Sequence, residues 1–208
     1  MPLRIKICGI TNLDDAQAAA DAGADALGFI LYPASKRFIP IEDALRIVEA
    51  LPPFVQTVAV TVNANKEFSN LGWRKQLRQF GVAQLHGQES PVHVKAVGKY
   101  LPVIKVFAAD RAAEFDPAAY AVSAFMLDTP SKDHGGTGRI FDWSLAVAFK
   151  GRTAKPLILS GGLNPENVAK AVDLVQPYAV DVSSGVESSP GKKDHAKLRE
   201  FIRICKKF

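Results

Sequence analysis

The chain has 208 residues, enough for one domain with a sizeable core and short for two. Apolar residues make up 48% and charged residues 23%, which excludes a disordered or fibrous chain, and no apolar run is long enough to span a bilayer. A formal charge of +5 permits contact with nucleic acid without arguing for it, and the cysteines, Cys8 and Cys205, show neither metal-ligand spacing nor a disulfide framework.

The first residues interleave charge with apolar side chains and lack the apolar stretch of a secretory signal, so a soluble, cytoplasmic protein is expected. In the first apolar run, Leu3–Cys8, Leu3, Ile5 and Ile7 face one way and Arg4, Lys6 and Cys8 the other. Cys8 stands directly before Gly9 and a helix start. It is either a small buried hydrophobe or a thiol tuned toward thiolate by the helix N-terminus and Lys6. Thr11 to Asp14 resembles a capping box, and Gly23 closes the helix.

The second run, Ala26–Leu31, leads into a loop carrying Arg37, which is either solvated or a clamp for a carboxylate. Pro40 occupies a first-turn position of the next helix. After the third run, Gln56–Val62, Trp73 reads as a core residue of the third helix, which Gly81 closes. The fourth run, Val82–His86, places Gln84 and His86 on one side, and His86 is a core histidine, a proton carrier or a substrate contact.

The fifth run is Val103–Phe107 and the sixth Ala124–Asp128, where Phe125 and Leu127 oppose Met126 and Asp128. A carboxylate after such a run is a helix N-cap or, if burial keeps it protonated, a general acid. Gly135-Gly136-Thr137-Gly138 precedes Asp142-Trp143, lacks the Lys-Ser/Thr of a P-loop and reads as a mobile lid.

The seventh run, Leu157–Ser160, ends in Gly161-Gly162, with Pro165 opening the next helix; the eighth, Ala179–Ser183, ends in Ser184-Gly185. Each loop alone reads as a tight turn. On adjacent strands the two suit a phosphate, which glycine backbone N–H groups and seryl hydroxyls can cradle. At the C-terminus Leu198, Phe201, Ile202 and Ile204 interleave with Arg199, Arg203, Lys206 and Lys207, a helix with one buried and one basic solvated face. That spreads the charge too thinly for a nucleic-acid grip.

Eight short apolar runs alternating with helical patterns predict a single-domain α/β fold, the (β/α)8 TIM barrel with parallel strands, over residues 1–208. An open doubly wound sheet accepts the same element order. It does not require polar residues to gather at the strand ends, as they do here, so the barrel is preferred.

The motifs Lys6-Ile7-Cys8-Gly9-Ile10-Thr11, Gly28-Phe29-Ile30, Ser35-Lys36-Arg37, Gln84-Leu85-His86-Gly87, Leu127-Asp128-Thr129, Gly135-Gly136-Thr137-Gly138, Leu159-Ser160-Gly161-Gly162-Leu163 and Asp181-Val182-Ser183-Ser184-Gly185-Val186-Glu187 resemble, in order, those of the phosphoribosylanthranilate isomerases. They cover almost the whole chain, though the fifth run and the helices near it carry little signature. The resemblance implies an Amadori rearrangement of N-(5-phosphoribosyl)anthranilate in tryptophan biosynthesis. It makes Asp128 the acid and Cys8 the base, and puts the phosphate at Gly161, Gly162, Ser183, Ser184 and Gly185. It places the substrate carboxylate at Arg37, with Asp181 and His86 on sugar hydroxyls or ordering the site. No metal or organic cofactor is expected, nor a nucleic-acid or membrane partner; the substrate is a small phosphorylated molecule, and the protein a monomer or homodimer. The rival readings are another phosphosugar barrel, such as indole-glycerol phosphate synthase, and a non-catalytic phosphometabolite-binding barrel. The first is expected to rely on lysine and glutamate at strand ends, and the second to lack Cys8 or Asp128.

Overall fold

The computed structural model describes residues 2–64, 67–130 and 140–208. The glycine-rich segment Gly135 to Gly138, read above as a lid, lies outside the described residues.

Eight parallel strands form a closed barrel in sequence order: β1 (Arg4–Cys8), β2 (Ala26–Ile30), β3 (Gln56–Thr61), β4 (Val82–Leu85), β5 (Val103–Ala108), β6 (Ala124–Asp128), β7 (Leu157–Leu159) and β8 (Ala179–Val182). Strand β1 pairs with both β2 and β8, which closes the ring. Each strand lies within one residue, at either end, of the run that predicted it. Side-chain alternation divides the core in two. Cys8, Val58, Val60, Ile104, Val106, Met126 and Ile158 fill the lumen, while Ile5, Ile7, Leu27, Phe29, Phe125 and Leu127 face the helix layer.

The helices are α1 (Leu13–Ala22), α2 (Ile41–Glu49), α3 (Leu71–Leu77), α4 (Pro91–Val97), α5 (Ser144–Lys150), α6 (Val168–Val175) and α7 (His195–Cys205). Their punctuation departs from expectation at several ends. Asn12, not Thr11, caps α1, its side chain accepting from Asp15 N at 2.9 Å, whereas Gly23 does close that helix at φ +94°. Pro40 is the residue before α2 rather than its first turn, and Pro165 precedes α6 by a short turn that ends at the N-cap Asn167. Gly81 lies beyond α3, whose C-cap is Arg78. A Cβ there would meet only the movable end of the exposed Gln56 side chain.

Two further departures concern whole elements. After β5 the chain makes two 3-10 segments, Ala109–Glu114 and Pro117–Ala119, in place of an α-helix. Pro117 lacks the N–H an α-helix would use, and the Asp116 side chain accepts from Ala118 N instead. After β8 a small antiparallel hairpin, β9 (Glu187–Ser189) with β10 (Lys192–Lys193), precedes α7. Helix α7 buries Leu198, Phe201, Ile202 and Cys205 and packs against α1 and α6, leaving Arg199, Arg203, Lys206 and Lys207 exposed.

Candidate active site

The polar ends of the lumen-facing rows gather at the C-terminal mouth of the barrel. Lys6 and Cys8 project inward from β1 and Asp181 from β8. The Lys6 Nζ–Asp181 Oδ1 ion pair spans 2.6 Å, and both side chains are buried. Ser160, after β7, donates its hydroxyl to Asp181 Oδ2 at 3.1 Å. Cys8 Sγ and Lys6 Nζ converge on Gly28 of β2, where a Cβ would stand 2.8 Å from the sulfur and 3.0 Å from the nitrogen.

Asp128 ends β6 beside the seventh loop. A Cβ on Gly161 would fall 3.0 Å from Asp128 Oδ1 and 2.6 Å from Thr129 N, and Gly161 adopts φ +88°. Asp128 Oδ1 accepts from Thr129 N at 2.8 Å, and Oδ2 lies 3.2 Å from Nε2 of His86 across the mouth. Among the described residues Asp128 caps no helix. A polar arc of two groups thus lines the mouth, Cys8 with Lys6, Asp181 and Ser160 on one side and Asp128 with His86 on the other.

Electrostatics set the resting state of the thiol. Burial pushes the Cys8 thiol up, and the opposing pull of Lys6 and Lys193 does not cancel it. Of the two readings of Cys8, this favours the buried thiol over one tuned downward to thiolate. The helix that was to supply its N-terminus starts only at Leu13, and the depth of the site outweighs the nearby cations. For Lys6 burial works against the ammonium, but Asp181 and Cys8 outweigh it and hold the amine charged.

Arg37 is buried rather than solvated. Its Nε and Nη2 form a fork on Glu187 at 2.8 and 2.7 Å. Lys193 Nζ donates to Glu187 Oε1 at 2.9 Å and to the Cys8 carbonyl at 2.6 Å, fastening the β9–β10 hairpin to the end of β1. Burial alone would disfavour the Glu187 carboxylate, yet Arg37 and Lys193 prevail and it ionises below the usual glutamate range. Asp15 accepts from Lys193 N at 2.8 Å and pairs with His195 at 2.7 Å, continuing the strap to α1 and α7.

The two loops expected to take phosphate interlock: a Cβ on Gly185 would lie 1.9 Å from the Leu163 carbonyl. Gly162 has φ +66°, and Ser183 Oγ is buried without a partner among the described residues. On the opposite side of the mouth a cavity of about 490 Å³ is lined by His86, Phe107, Tyr120 and Asp128, over the buried Lys105–Glu89 pair. Cys8, Arg37 and Asp181 stand outside that cavity's lining.

Sequence reasoning passed over several of these groups. Glu187, Lys193 and the Lys105–Glu89 pair were given no role, and Ser160, read as a donor in the seventh loop, donates instead to Asp181. Lys105 is on the helix-facing side of β5, where its Nζ donates to Gly87 O at 2.7 Å and so ties the loop after β4 that begins at His86. Only the odd placement of a lysine within an apolar strand hinted at it.

The sequence model of the N-(5'phosphoribosyl)anthranilate (PRA) isomerase family matches residues 5–204. A relative in Geobacter sulfurreducens named N-(5'-phosphoribosyl)anthranilate isomerase is 49% identical over 207 residues, 98% of each chain. The crystal structure of phosphoribosyl anthranilate isomerase from Thermotoga maritima superposes with a TM-score of 0.87 at 44% identity, covering 99% of this chain and 100% of that one. A phosphoribosyl anthranilate isomerase in complex with reduced 1-(o-carboxyphenylamino)-1-deoxyribulose 5-phosphate gives 0.84 at 43% identity, covering 99% and 100%.

Proposed function

The chain belongs to the N-(5'-phosphoribosyl)anthranilate isomerase family of tryptophan biosynthesis, and on that premise we propose that Asp128 is its general acid and Cys8 its general base. The observation that carries this is the polar arc. Both residues end lumen-facing rows on one rim, Cys8 beside the Lys6–Asp181–Ser160 cluster and Asp128 beside His86.

The Amadori rearrangement is an internal redox isomerisation that acid–base chemistry alone can drive. Asp128 protonates the furanose ring oxygen; the C1–O bond breaks, and the nitrogen lone pair closes an iminium at C1. Cys8 then removes the proton on C2, and its electrons form the C1=C2 bond of an enaminol, which tautomerises to the ketone. A thiol held up by burial is scarce as thiolate in the free protein but strongly basic once formed. Lys6 supplies the adjacent positive charge that makes its formation affordable as substrate arrives.

The substrate phosphate sits at Gly161, Gly162, Ser183, Ser184 and Gly185, where the unpartnered Ser183 hydroxyl gains an acceptor. Arg37 receives the anthranilate carboxylate through Nη1, the edge that its fork with Glu187 leaves. Asp181 keeps Lys6 charged beside the base, and His86 addresses the acid.

The test is turnover of freshly prepared substrate, followed by loss of anthranilate-type fluorescence. Cys8→Ala and Asp128→Asn should each lower kcat by roughly 10²–10⁴ while a non-reacting product analogue still binds. Cys205→Ala, in the α7 core, should leave it unchanged. Near-normal turnover in Asp128→Asn would remove the acid from the mechanism, and equal effects at the two cysteines would reduce Cys8 to packing.

A further inference from the structure

Behind the acid stands a second side chain to which no role has yet been given. Gln84 points into the lumen from β4, is 1% exposed, and places Nε2 3.3 Å from Nδ1 of His86. The other imidazole nitrogen faces Asp128 Oδ2 at 3.2 Å. Gln84 Oε1 is buried and has no partner among the described residues, a costly condition that a packed core ordinarily avoids.

A neutral imidazole carries one N–H and one lone pair, so the two contacts are linked. When Asp128 is ionised, Nε2 must be the donor to it. Nδ1 is then bare and accepts from the Gln84 amide N–H, the arrangement in the structure. When Asp128 holds the proton that acid catalysis requires, every direction reverses. The carboxyl O–H donates to Nε2, Nδ1 carries hydrogen, and that hydrogen needs an acceptor at the position Gln84 Nε2 now occupies. A half-turn of the amide brings Oε1 there.

We propose that Gln84 is a positioning residue that pairs with His86 in both protonation states of Asp128, its amide turning over as the proton on the acid comes and goes. The idle Oε1 is therefore the partner held for the other half of the cycle. A side chain of this size that only donates, or only accepts, would fit one state and strand the other. The inference rests on the reading of Asp128 as the acid. The charged groups near the pair are matched. Glu89 and Lys105 neutralise each other at 2.9 Å, Lys6 and Asp181 do so at 2.6 Å, and Arg111, beside Asp110 on the cavity wall, pairs with Glu114 at 2.8 Å. They leave the His86 tautomer to its two hydrogen-bonding neighbours.

The experiment is ¹⁵N NMR of the protein labelled at histidine, with the His86 signals assigned by their loss in His86→Gln. Over a pH titration the wild-type ring proton should sit on Nε2 while Asp128 is ionised and pass to Nδ1 as Asp128 takes up its proton. Gln84→Met, similar in size and unable to pair, should show averaged ring nitrogens. Its kcat should fall about 10-fold with KM little changed, the pattern of a residue that acts through His86 rather than on the substrate. Gln84→Glu, which only accepts, should hold His86 protonated at Nδ1; it carries the test alone if the methionine variant does not fold, as judged by its melting curve. A ring that keeps one tautomer through the whole titration, or ring shifts and kcat unmoved by either substitution, would overturn the proposal. Failure of the acid assignment is a separate result: turnover retained in Asp128→Asn removes the acid and leaves the tautomer measurement standing.

Discussion

At Cys8 two demands oppose each other: a base must shed its proton, and a buried thiol resists doing so. Burial wins in the free protein, so the thiol ionises above its usual value and the thiolate accumulates only at high pH. Labelling by iodoacetamide, which reads the thiolate, should be slow at neutral pH and climb through and beyond pH 9. Lys6→Met removes the main charge opposing burial, so labelling at pH 8 should slow by about ten-fold or more, the effect of one neighbouring charge. Cys205, pushed up to about 12 by burial alone, should stay unlabelled throughout. Labelling of Cys8 that ignores pH, or quickens in Lys6→Met, would show that Lys6 does not govern the thiol. Strand alternation is enough to place Cys8, Asp128, Asp181 and His86 on the inner side. It does not reveal the direction of the thiol's shift, which depends on the depth of the site. Nor does it reveal the Arg37–Glu187 fork, whose partners stand 150 residues apart in the chain.

The strands were legible because each is a short apolar run with a two-residue period between turn formers. Their ends and linkers were less so. One side chain's geometry decides whether Asn12 or Thr11 caps α1, and a proline inside a short linker turned an expected α-helix after β5 into 3-10 turns. The β9–β10 hairpin carried one readable signal, the Pro190-Gly191 turn, while its strands are five polar residues with no apolar alternation. What holds it is Glu187 between Arg37 and Lys193. Because Glu187 ionises below 4.5, its ordinary value, the pairing contributes its full stability above that pH and loses it as pH falls through the lower native value. Glu187→Gln should therefore destabilise the protein by ~3–5 kcal/mol at pH 7, where it strands two buried cations. The gap to wild type should narrow in acid, below 4.5, where the native carboxylate takes up its proton. Urea melts at the two pH values read this directly. A gap independent of pH would mean the side chain's shape, not its charge, secures the hairpin.

Element order alone cannot say whether eight alternating units close into a barrel or spread into an open sheet; polarity on the inner face favoured closure before any pairing was known. Closure has a mechanical consequence for the molecule as a whole. The last strand pairs with the first, and α7 packs on α1, with Lys206 Nζ donating to Ala22 O at 3.0 Å and His195 paired to Asp15. The two ends of the chain thus complete each other's core, and neither half has a finished hydrophobic face without the other. We propose on this ground that the chain unfolds as one cooperative domain. Phe201 is fully buried at the seam that α7 makes with its neighbours, so Phe201→Ala should cost ~3–5 kcal/mol. Two tryptophans report on regions away from that seam: Trp73 in α3, partly buried, and Trp143 at the start of α5, buried. With Trp73→Phe or Trp143→Phe leaving one reporter at a time, the denaturation midpoint should fall equally at both positions and in far-UV circular dichroism, because a loss at the seam is felt by the entire ring. If the Trp73 transition moved while the Trp143 transition stayed in place, the barrel would consist of separately stable halves, and the closing contacts between α1 and α7 would be local attachments only.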